Sequence, residues 1–163
     1  MTEPLAAFLN ALDEGAARDA LLRCCGCERW VDAMLVGRPF ANDAALLETA
    51  DAVWRGLTPA DWLEAFTTHP RIGDRHAGGW SAEEQAGMGA TTVAIIERMH
   101  LLNQRYEKRF GHVFLICASG RAAGELLGEM ERRITNAPDL ELREAAEELR
   151  KITRLRLQKL ARS

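Results

Sequence analysis

Only one stretch of this chain, His112 to Ala118 (HVFLICA), has the short continuous apolar pattern of a buried extended segment. One strand makes no sheet, since its backbone N–H and C=O groups would find no ladder to join. Elsewhere the apolar residues recur at helical spacing, so the pattern predicts an all-α fold. Six to eight helices of about 10–20 residues, packed round one core, suit the length. A chain of 163 residues is long enough for one hydrophobic core and short for two, which predicts a single domain over 1–163.

The punctuation between helices is legible. In FANDAALLETADAVWRGLTPADW, Leu46, Ala50, Val53 and Leu57 recur at helical spacing behind Asn42 as N-cap. Thr58-Pro59-Ala60-Asp61 then restarts a helix, with Thr58 as N-cap and Pro59 in the first turn, carrying Trp62, Leu63 and Phe66 inward. It must stop near His69, because the residue before a proline avoids the α region. Arg71 to Trp80 contains three glycines and no apolar period, and reads as loop. A helix restarts at Ser81, a longer one runs from about Thr92 to Phe110 and stops at Gly111, and two more cover roughly 122–135 and 140–161.

Composition narrows the function classes. A formal charge of −3 supplies no basic field for a phosphate backbone, which argues against nucleic acid as a partner. No stretch approaches the ~20 apolar residues of a membrane span, and MTEPLAAFLN lacks the basic start and apolar run of a secretory signal. A cytoplasmic protein without membrane association is expected. Three of the four cysteines crowd into Cys24-Cys25-Gly26-Cys27, with Cys117 apart. Zinc sites usually pair two such clusters, so the thiols are expected to be reduced small hydrophobes, and no metal is expected.

Polar side chains on apolar faces carry the functional signal, because a charge there must be paired or used. In the last helix Leu142, Ala145, Leu149, Ile152 and Leu160 form the inward stripe, and Arg156 falls in its middle. It is either a structural arginine with a core partner or a fork for a planar anionic ligand. In the long helix Ile95, Ile96, Met99, Leu102, Tyr106 and Phe110 enclose Asn103, whose buried amide must find partners, first among them loop backbone. Ser81-Ala82-Glu83-Glu84 has capping-box spacing; it either closes a helix end or sets Glu84 and Gln85 beside amides that attract an anion. His69 ends its helix before Pro70 and opens the loop holding Arg71 and Asp74, the setting for an acid–base histidine.

These residues lie in motifs that resemble a known family. HPRIGD, WSAEEQAGM, LLNQRYEKRFGHVFLICASGR and RKITRLRL, in this order and spacing over about 66–160, are similar to the 2-oxo-4-hydroxy-4-carboxy-5-ureidoimidazoline (OHCU) decarboxylases of uric acid breakdown. The N-terminal third adds the looser matches CERWV and GRPF. The resemblance implies an all-α protein, often dimeric, that uses neither metal nor organic cofactor and converts OHCU to (S)-allantoin and carbon dioxide. On this chain it implies His69 as proton donor and Glu84 as its catalytic companion. Pro70, Ser81, Gln85, Arg156 and the segment Phe114, Leu115, Ile116, Cys117 and Ala118 match substrate-binding positions. The alternative is a non-catalytic helical module that binds a small anionic heterocycle.

Overall fold

A computed structural model describes residues 3–72 and 93–160. Among them the chain forms eight helices: α1 (Leu5–Ala11), α2 (Glu14–Cys24), α3 (Glu28–Val36), α4 (Asp43–Arg55), α5 (Pro59–Phe66), α6 (Val93–Phe110), α7 (Ala123–Arg133) and α8 (Pro138–Leu160). No strand forms among the described residues, and the fold is all-α. The helix expected from Ser81 lies outside the described residues. The helices gather into two compact units, one of Met1–Ala65 with Arg150–Ser163 and one of Phe66–Leu149, so that α8 begins in the second and ends in the first.

In the first unit the helices close on apolar side chains. Leu9, Leu21, Trp30, Val31, Met34 and Leu46 are all wholly buried, joined by the thiols of Cys24, Cys25 and Cys27. Burial pushes the Cys24 thiol up to about 12, against the pull of the Arg156 cation, so it stays neutral and packs as a small hydrophobe. Polar side chains here mostly finish helix ends. Asn42 accepts from Ala45 N at 2.8 Å as α4 begins, and Asp13 does the same for Ala16 N at 2.7 Å in α2. The Asp43 carboxylate receives Leu5 N and Ala6 N at the start of α1, while Arg38 donates to Leu9 O and Leu12 O at its end.

Two inward faces differ from the periodicity. On α4 the buried set is Leu46, Leu47, Ala50 and Trp54, with Val53 and Leu57 only half-buried. On α5 Leu63 is 39% exposed while Asp61, Ala65 and Phe66 are buried. The reason is local: Asp61 faces inward to accept from Thr58 N and Thr58 Oγ1, and that rotation carries Leu63 outward.

The second unit is built on α6, α7 and the first half of α8. Met99, Leu102 and Tyr106 of α6 pack against Leu126 and Met130 of α7, with Phe114 and Ile116 between helices in the chain and inside the same core. Gly111, at φ +80°, turns the chain out of α6, a conformation that glycine adopts without strain. The expected HVFLICA segment follows as a non-helical stretch with Phe114, Leu115, Ile116 and Ala118 buried.

Candidate active site

The second unit holds His69 on a turn fastened to α6. Helix α5 ends at Phe66, His69 N donates back to Phe66 O at 3.2 Å, and Pro70 prevents the helix from continuing. Arg71 forks onto Glu107 of α6, with Nε to Oε2 at 2.7 Å and Nη2 to Oε1 at 3.0 Å. Ile72 is buried in the core, and its carbonyl accepts from Asn103 Nδ2 at 3.1 Å. Asn103 thus satisfies loop backbone, the first of the roles its place on the apolar arc suggested. Side-chain fork, core contact and amide together fix the turn, and His69, only 9% exposed, rides on it.

The segment Phe114–Ala118 is held by ions that the sequence reading passed over. Arg133, at the end of α7, donates from Nη1 to Leu115 O at 2.7 Å and lays its guanidinium over the Phe114 ring at 4.3 Å from the centroid. Its other nitrogens meet Glu141 at 2.6–3.1 Å, and the phenol of Tyr106 donates to the same carboxylate. Asn136 Nδ2 adds a bond to Glu141 Oε1 at 3.1 Å. Burial, reinforced by Glu141, pushes the Tyr106 phenol far up, so it remains a donor. Side-chain exposures of 1% and 0% for Arg133 and Glu141 make this a desolvated pair, tolerable only because its hydrogen-bonding groups are so widely used.

A signal for both ions was present. Leu126, Met130 and Arg133 stand at i, i+4 and i+7 on α7, and Glu141 precedes Ala145 and Leu149 by one and two helical repeats. The wheel that singled out Arg156 singles them out too. A third hold lies further along the segment, where Cys117 N donates to Glu148 Oε1 at 3.2 Å, with Arg121 Nη2 3.8 Å from the same oxygen.

Arg156 belongs to the first unit. It is 8% exposed on α8, among the buried Ile152, Thr153, Leu157 and Leu160, as its place on the apolar stripe requires. The neighbouring Arg150 and Arg154 both reach Asp51, at 3.3 and 3.1 Å. His69, Pro70 and Phe114–Ala118 therefore share one unit and Arg156 lies in the other, while Ser81, Glu84 and Gln85 lie outside the described residues, as does Asp74. Cys27, Asp61 and Glu64 bring one thiol and two carboxylates within 4.8 Å of one another. Both carboxylates already serve backbone amides, Asp61 that of Thr58 and Glu64 that of Glu28.

His69 on its fixed turn and the non-helical Phe114–Ala118 segment thus lie in the same unit of an all-α protein. The comparisons with known proteins name its family. The sequence model of OHCU decarboxylase matches residues 10–158, across both units, and the chain belongs to the OHCU decarboxylase family. It is 33% identical over 145 residues to the uric acid degradation bifunctional protein TTL of Arabidopsis thaliana, covering 84% of this chain and 45% of that one. To the 2-oxo-4-hydroxy-4-carboxy-5-ureidoimidazoline decarboxylase of Amia calva it is 35% identical over 129 residues, 75% of this chain and 74% of the relative. The crystal structure of an OHCU decarboxylase in the presence of (S)-allantoin superposes with a TM-score of 0.79 at 35% identity, covering 89% of this chain and 99% of that one. The chain thus spans less than half of the plant bifunctional protein and nearly all of the solved decarboxylase. No helix among the described residues is long and apolar enough to cross a membrane.

Proposed function

We propose that this protein decarboxylates OHCU to (S)-allantoin in uric acid degradation, as one domain over 1–163 acting in the cytoplasm. Homodimer formation is part of the same proposal, on the family resemblance. The observation that carries the reading is His69, a buried histidine on a turn fastened at Arg71, Ile72 and Asn103, in a chain that matches the family from residue 10 to 158.

The bond from the ring carbon to its carboxylate breaks, carbon dioxide leaves, and the electron pair stays on the ring. The adjoining C=N and ureido groups delocalise that pair, so the substrate supplies its own electron sink and no cofactor is required. Arg156 binds the anion with paired hydrogen bonds, and Ser81, Glu84 and Gln85 bind ring and ureido groups. The electron pair moves into the adjoining C=N, whose nitrogen takes a proton from solvent, and leaves an enol; as the enol hydroxyl gives up its proton and becomes the ring carbonyl, His69 delivers a proton to one face of the neighbouring ureido-bearing carbon, which sets the configuration of the product, and regains it from water. Histidine suits this step because its ordinary pKa lies nearest neutral pH. Glu84 steers the protonation of His69, Pro70 fixes its direction, and the backbone of Phe114–Ala118 reads the amide edges of the ring.

The test is direct. Freshly generated OHCU should disappear faster with the protein than in buffer, with the circular dichroism of (S)-allantoin rising in step. Loss at the buffer rate would defeat the proposal, and binding of allantoin without turnover would point to a non-catalytic module.

A further inference from the structure

Arg71 stands two residues beyond His69, where an arginine can either bind an anionic substrate or hold the chain that carries the histidine. The Nε edge of its guanidinium, one of those that suit a planar anion, is already taken by Glu107, with Nε to Oε2 at 2.7 Å and Nη2 to Oε1 at 3.0 Å. Glu107 follows Asn103 by one helical turn on α6, so the two side chains leave the same face. Asn103 holds Ile72 O at 3.1 Å while Glu107 holds Arg71, and one helix thus grips two successive residues of the turn. On the other side of the histidine, His69 N is tied to Phe66 O, and Pro70 restricts the backbone between these grips.

We infer that Arg71 and Glu107 are positioning residues, whose fork aims His69 at the carbon it protonates, and that Arg71 acts through Glu107 rather than on the substrate. This rests on the proposed function and deepens it. The two grips differ in kind. Asn103 is 1% exposed and belongs to the core, whereas the side chains of Arg71 and Glu107 are 58% and 24% exposed. An ion pair so open to water adds little to stability. What the fork adds is direction, because two parallel hydrogen bonds fix orientation as well as distance. Proton transfer is sensitive to that direction: a displacement of about 1 Å in a reacting group can cost about 10² in rate. The fork therefore matters to the rate far more than to the fold.

Arg71→Ala, Glu107→Ala and the double variant, assayed beside wild type, form the test. A proton donor that is badly aimed lowers kcat and spares KM. Each single variant should lower kcat for OHCU about tenfold, with KM within about twofold. Its Tm should stay within about 4 °C of wild type. Because the two residues act as one unit, the double variant should fall within about twofold of the singles. Glu107→Gln keeps one acceptor oxygen for the guanidinium, and its kcat should lie between those of wild type and Glu107→Ala. A KM raised by Arg71→Ala and spared by Glu107→Ala would put the arginine on the substrate. Losses in kcat that multiply in the double variant would make the two residues independent. A Tm lowered beyond that range would make the fork a prop of the fold, and a kcat unchanged in both singles would leave it without a role. Each of these results overturns the inference while leaving wild-type turnover intact, whereas a wild type no faster than buffer defeats the proposed function and this inference with it.

Discussion

The two units of the chain use polar side chains for different ends. In the first, Asn42, Asp13, Asp43 and Arg38 finish helix termini, and Leu9, Leu21, Trp30 and Met34 beneath them fill the interior. In the second, Arg133, Glu141, Asn103 and Tyr106 are themselves interior, and Arg133 and Asn103 serve backbone outside the helices. Both groups of residues obey one requirement, that backbone N–H and C=O groups removed from water find partners. A regular helix leaves only its ends open, so caps at the rim suffice. A buried turn and a buried non-helical segment leave open groups within the core, and satisfying them draws in charges that would otherwise be excluded from it. The buried ion pair of Arg133 and Glu141, with side-chain exposures of 1% and 0%, lies in the unit that presents His69.

This contrast can be broken or sharpened. The largest expected effect is on Arg133. Arg133→Met strands Glu141 in the core and should cost about 3–5 kcal/mol in urea unfolding, whereas adding Glu141→Leu should recover much of the loss. If the double variant is no better than the single one, the ions are not acting as a pair. Next comes Leu21→Ala in the first unit, expected to cost about 2–4 kcal/mol as an ordinary cavity while leaving KM for OHCU within about twofold of wild type. A large shift in KM there would erase the functional distinction between the units.

The smallest effect expected is at Asp61, whose carboxyl is held below its ordinary range, first by the Thr58 backbone N–H and further by the Thr58 hydroxyl and Arg29. A carboxylate with its pKa depressed by folding contributes stability that is present above its unfolded value and lost as the pH falls through the folded one. Asp61→Asn should therefore flatten part of the acid limb of the stability curve below about pH 4, the ordinary value for aspartate. An acid limb unchanged in the variant would show that the capping carboxylate contributes nothing there.

How much was legible follows the same division. Helix starts and stops with local causes were readable: Asn42 caps α4, Thr58 and Asp61 open α5, and Gly111 closes α6. Arg156 was readable because the other members of its stripe are apolar. Glu141 and Arg133 stand on equally apolar arcs, but their partners come from separate elements: Glu141 from α8, Tyr106 from α6 and Leu115 from the intervening segment. Periodicity reports that a residue faces inward and says nothing of what it meets there. Leu63 fails in the opposite sense, since one capping bond at Asp61 reorients a short helix that the apolar count alone would have turned the other way.

His69 carries the central claim, and the most direct measurement is turnover of OHCU by His69→Asn beside wild type, read as the circular dichroism of (S)-allantoin formed. General acid catalysis contributes about 10²–10⁴ in rate. We predict that the variant forms (S)-allantoin at least ~100-fold more slowly while unfolding at the wild-type temperature and still binding (S)-allantoin. Product formed at the wild-type rate and with the wild-type handedness would contradict the account, since the proton would then come from a group other than His69.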